Sequence, residues 1–118
     1  MLRKNPKCRC EKRTSTKSKE VCRLYTRIQA AYLSVLEASE DVKTIQCNVP
    51  LAGVDAGAYT SDFLCEKTNG CYMVRECVEK KYLTKPQTVH LLDISRNYWA
   101  KREINDWGIV SLREENNV

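Results

Sequence analysis

Two strand-like segments joined through an Asn-Gly pair constrain this 118-residue chain more than any other feature. Tyr59–Glu66 (YTSDFLCE) and Cys71–Glu79 (CYMVRECVE) flank Lys67-Thr68-Asn69-Gly70. Asn and Gly accept the positive φ that the tightest reversals demand, so an antiparallel hairpin is predicted here. A lone hairpin is at best marginal in water. The rest of the chain must therefore supply more sheet and something to cover it.

That material is present on both sides. Val42–Val49 (VKTIQCNV) reads as a strand stopped by Pro50, and the LAGVDAGA segment after it has two glycines and no clean period, as a loop should. Upstream, Val21, Leu24, Ile28, Ala31 and Val35 recur at spacings of three and four, with Tyr25, Tyr32 and Leu36 widening the stripe. This predicts an amphipathic helix of about six turns, capped by Ser18 and ended by Ala38-Ser39-Glu40-Asp41. Downstream, Pro86 opens a second helix in which Val89, Leu92, Ser95, Arg96 and Trp99 share a stripe beside Leu91, Ile94 and Tyr98, running to Arg102. Asp106–Leu112 (DWGIVSL) is the last strand. The order helix, three strands, helix, strand predicts an α/β domain with a mixed sheet flanked by helices. Its last two strands should be joined by a right-handed parallel crossover.

Residues 1–17 lack apolar periodicity and read as a basic, flexible arm on a single domain of residues 18–118. Ten Lys and Arg stand against Glu11 and Glu20 in residues 1–27, a net of +8; with the whole chain at +5, the remainder carries −3. A basic arm on a slightly acidic body suits a polyanion or simply keeps the chain soluble. No apolar run approaches the roughly 20 residues of a membrane-spanning helix. No apolar stretch follows the basic N-terminus either, so the protein is expected to stay in the compartment of its synthesis.

Seven cysteines in a reducing compartment need another account than disulfides. Cys65, Cys71 and Cys77 recur every six residues across the hairpin and suit strands as small apolar side chains. Cys8-Arg9-Cys10 is the one local clip, and without a CxxC or a second histidine beside His90 the spacing does not fit a zinc module. His90 is expected at or near the surface.

The hairpin also carries the chemistry. Asp62 sits among Tyr59, Phe63 and Leu64, and Glu76 lies between Val74 and Val78 on the return strand. Two carboxylates embedded among hydrophobes on neighbouring strands repel unless a proton or cation intervenes. A hard divalent ion such as Mg2+ takes oxygen ligands and keeps positions open for water and phosphate. The alternatives are that either acid caps the hairpin or pairs with Arg75.

Three segments then carry a resemblance: YTSDFL around Asp62, MVRECV around Glu76, and ISRNYWAKREINDWGIV at residues 94–110. With the element order, they resemble the αβββαβ restriction-endonuclease-like core of the PD-(D/E)xK superfamily, and within it the catalytic domain of TnsA-type transposon endonucleases. The resemblance implies metal-dependent phosphodiester hydrolysis at a transposon end, with Mg2+ or Mn2+ held by Asp62, Glu76 and the backbone carbonyl of Cys77. It implies double-stranded DNA, a DDE-type transposase and an AAA+ ATPase regulator as partners, in the cytoplasm of a prokaryotic cell, at the nucleoid. It places Gln29 where the family has a glutamate on the first helix. Val78 stands where the family has its lysine, leaving Lys80 and Lys81 as candidates to supply that charge. An inactive adaptor of the same fold, or a repair or restriction nuclease, are the rival expectations.

Overall fold

Strand pairing starts earlier than the apolar periodicity predicts. In the computed structural model, which describes residues 10–53 and 59–111, β1 (Glu11–Arg13) pairs antiparallel with β2 (Cys22–Leu24). Cys22 and Leu24 are buried while Arg23 between them is exposed, an alternation of period two hidden inside the three-and-four spacing. The first helix, α1, therefore spans Arg27–Ala38 instead of beginning at Ser18. Its cap is Thr26, an extended residue whose side chain accepts a hydrogen bond from the Gln29 amide at 3.0 Å. The shift also rotates the buried face, which is Ile28, Gln29, Leu33 and Leu36, and leaves Val35 57 % exposed.

Part of the segment read as a basic arm is described by the structure. Residues 1–9 lie outside the described part; in residues 10–17, Glu11–Arg13 forms β1 and two basic side chains reach α1. Arg13 donates to the Ala30 carbonyl and to Ser34 Oγ. Lys17 donates from Nζ to the carbonyls of Leu36 and Ser39, at 3.1 and 2.6 Å, which places a cation at the negative end of the helix.

The four remaining strands form one sheet in the order β3 (Val42–Pro50), β4 (Thr60–Lys67), β5 (Tyr72–Cys77), β6 (Trp107–Val110). The first two neighbouring pairs are antiparallel and the last is parallel. The β4–β5 reversal uses Asn69-Gly70 as expected, with Gly70 at φ 88° and Asn69 Oδ1 accepting from the Cys71 amide. Helix α2 (Pro86–Ala100), with proline in its first turn, makes the crossover from β5 to β6. The Lys17 carbonyl accepts from the Ile45 amide and so occupies part of the outer edge of β3.

Both faces of the sheet are covered. Ile28, Leu33 and Leu36 of α1 pack with Ile45, Phe63, Cys65, Met73 and Cys77. Leu91, Tyr98 and Trp99 of α2 pack with Val74, Tyr59 and Leu51. Tyr98 and Trp99 are thus packing residues, and Arg102 stacks on the Tyr98 ring at 3.7 Å. Cys65 and Cys77 are the small core residues the sequence predicts, whereas Cys71 is exposed beside the turn. His90 is exposed. Among the described residues no helix is long and apolar enough to cross a membrane.

Because Lys17 holds a helix end, Lys17→Met is expected to destabilise the fold by about 1–2 kcal/mol. Exposed Lys19→Met should cost less than about 0.5 kcal/mol. Urea denaturation of the two variants measures the difference.

Candidate functional site

The β4–β5 ladder runs from Glu66↔Tyr72 to Phe63↔Arg75 and stops there. One step further, side chains replace the backbone as partners for the freed amides. The Cys77 amide donates to Asp62 Oδ2 at 2.8 Å, and the Asp62 amide donates to Glu76 Oε1 at 3.0 Å. Each carboxylate thus reaches across to the opposite strand. The pair is locked in place by the same groups that it satisfies. Asp62 is 2 % exposed and Glu76 is fully buried.

The second oxygen of Glu76 points to α2. Ser95 donates to Glu76 Oε2 at 2.6 Å, and Ser61 Oγ lies 3.3 Å from Ser95 Oγ. The indole of Trp107 donates to Ser95 and that of Trp99 to Ser61. Tyr59 lies beside Glu76 and Ser95, and burial, with the charges of Glu76 and Asp62, keeps its phenol protonated far above the ordinary range. Burial also pushes the Glu76 carboxyl up to about 7, and the Asp62 carboxylate adds to the rise; the serine hydroxyls work against it.

Of the residues singled out from sequence, the structure brings together Asp62, Glu76 and Cys77. Gln29 is fully buried but engaged elsewhere: its Oε1 accepts from the Tyr25 amide and its Nε2 donates to Asn48 Oδ1. Its amide staples the start of α1 to β3. Val78, at the position where the resemblance implies a lysine, is buried, and its amide donates to the Val110 carbonyl. Lys80 and Lys81 are exposed in a short 3-10 turn, Lys80–Tyr82. The Lys81 ammonium stands 3.8 Å from Glu79 Oε1 and over the Tyr82 ring. Arg75 pairs with Asp106, which Lys67 also bridges, so Arg75 is not the counter-charge to the buried acids. Lys67 first, and Arg75 with it, hold the Asp106 carboxyl below its ordinary value.

The serine–indole network was not legible as a site. A hydroxyl at Ser95 on the apolar stripe of a helix was the one available signal, and it has no meaning until β5 and β6 are placed against it.

The donor chemistry of the pair fits a hard divalent cation. Asp62 Oδ2 and both Glu76 oxygens already accept hydrogen bonds, so a cation that relieves the repulsion would share those oxygens with their donors. Among the described residues no cluster of three or more His, Cys, Asp or Glu side chains is poised for a metal. The buried thiols are not competitors: burial pushes Cys65 up to about 12 and, with Cys22 beside it, pushes Cys47 up as well.

Compared with protein-family models and with curated proteins, the sequence matches none.

The raised Glu76 carboxyl has a testable consequence for stability. Between about 4.5 and 7 the folded chain holds a proton that the unfolded chain has released. Stability from this group is therefore complete below the window and falls as pH rises through it. In urea titrations without divalent cations, Glu76→Gln should flatten that fall and be more stable at pH 8 by about 1–3 kcal/mol. An unchanged slope would show that Glu76 is not the group responsible.

Proposed function

We propose that this chain is a TnsA-like DNA endonuclease subunit of a heteromeric transposase, built on a restriction-endonuclease-like core. The observation that carries the reading is the pair of buried carboxylates where the central hairpin parts. It sits within a helix–three-strand–helix–strand order whose last two strands are parallel. In this reading Asp62 and Glu76 hold the ion, with the Cys77 carbonyl as a third oxygen. A bound Mg2+ or Mn2+ lowers the pKa of a water and shields the charge that builds on the phosphate. The Cys77 and Asp62 amides orient the two carboxylates, and burial keeps competing water from them. Lys80 and Lys81 bring positive charge just beyond β5, toward the DNA backbone, where Val78 brings none. A DDE-type transposase would cut the other strand and an AAA+ ATPase would regulate the assembly.

A second reading is an adaptor of the same fold without hydrolytic activity. Two observations favour it: buried Val78 in the lysine position and the engagement of both ends of the Gln29 amide. A repair or restriction nuclease is a third reading, distinguished by cleavage that needs neither the transposase nor a transposon end.

Nicking of supercoiled plasmid in Mn2+, alone and with the partner transposase, tests these readings. The endonuclease reading expects strand cleavage that Asp62→Asn lowers by roughly a hundredfold or more, since it removes a ligand charge from the metal. If wild type and Asp62→Asn both leave DNA intact yet assemble equally with the transposase, the adaptor reading replaces it.

A further inference from the structure

The chain has two tryptophans, and both indoles feed one buried hydrogen-bond chain. Trp99 Nε1 donates to Ser61 Oγ at 2.9 Å and Trp107 Nε1 donates to Ser95 Oγ at 3.0 Å. The two hydroxyls are 3.3 Å apart, and Ser95 Oγ is 2.6 Å from Glu76 Oε2. Ser61, Ser95 and Glu76 are all fully buried. An indole N–H donates and never accepts, so Ser61 and Ser95 each take the acceptor role toward one tryptophan. Ser61 accepts from Trp99 and lies within hydrogen-bond reach of Ser95, where either hydroxyl can be the donor. Ser95, receiving from Trp107, has one proton to place, and the closest acceptor is the Glu76 oxygen.

We infer that Ser95 is a positioning residue for Glu76: held by the Trp107 indole, it directs its hydroxyl at Glu76 Oε2 while the Asp62 amide holds Oε1, and so keeps the carboxylate in a single orientation beside Asp62. This inference rests on the reading of Asp62 and Glu76 as a cation pair. Ser95 acts through Glu76 and touches no reacting atom. Packing alone does not require this arrangement, since apolar side chains fill such a space without two hydroxyls and two indole N–H groups to satisfy. The network also grips both strands at once. Ser61 precedes Asp62 on β4, Ser95 bonds Glu76 on β5, and Trp107 brings in β6.

The two indole N–H signals in a proton–nitrogen NMR spectrum report the chain directly. Without metal, Glu76→Gln should move both signals, Trp107 more than Trp99. At pH 8, Mg2+ should move both saturably in the wild type. Ser95→Ala should weaken that Mg2+ affinity about tenfold, as loss of a group orienting a ligand commonly does, and Ser95→Thr should restore it to within about threefold. Should Ser95→Ala not fold, Trp107→Phe keeps an aromatic side chain while removing the N–H donor, and should weaken Mg2+ by about threefold. Indole signals unmoved by Glu76→Gln, or a folded Ser95→Ala with wild-type Mg2+ affinity, would overturn the inference. Signals that respond to Glu76→Gln while the wild type binds no Mg2+ would instead remove the cation reading and leave the coupling of Ser95 to Glu76 standing.

Discussion

The exchange of carboxylates between β4 and β5 is the constraint around which the structure is arranged. Two strands that part inside a protein leave amides without partners, and those amides cannot be left dry. Here Asp62 and Glu76 accept from them, which ties the divergence of the strands to the placement of two acids. The acids in turn bring a repulsion that burial magnifies. Neither effect is tolerable alone; together they produce a site that is geometrically fixed and electrostatically demanding.

Much of the surrounding architecture answers that demand. Helix α2 presents Ser95 to the second oxygen of Glu76, and β6 runs parallel to β5 so that Trp107 can complete the hydroxyl's bonding. Below the sheet, α1 supplies an ordinary apolar cover through Ile28, Leu33 and Leu36. The molecule thus divides its labour: the α1 face is mostly apolar packing, and the α2 face mixes packing with polar connections to the acid pair.

The hairpin, β3 and α2 were readable in the sequence because each rests on a local signal: an Asn-Gly turn, a short strand-like run before a proline, a proline at a helix start. The front of α1 was not. Val21, Leu24 and Ile28 fit a helical period by spacing, yet Cys22–Leu24 is a strand because Glu11–Arg13 lies beside it, and no local rule reports partners such as Glu11 for Leu24 or Arg13 for Cys22. Asp62 and Glu76 were legible for the opposite reason, as charges in apolar runs. The roles of Gln29 and Lys81 were not, since a side chain's reach depends on neighbours such as Asn48 and Glu79 that only the fold supplies.

The docking of Lys17 and Arg13 on α1 changes how the charge of this chain should be weighed. A cation bound to a helix terminus has already released much of its hydration and is poorly placed to displace counterions from a polyelectrolyte. The effective valence of the basic segment is therefore smaller than its formal charge. Among the described basic residues of the segment, Lys12, Lys19, Arg23 and Arg27 stay exposed, whereas Arg13 and Lys17 fasten it to the domain.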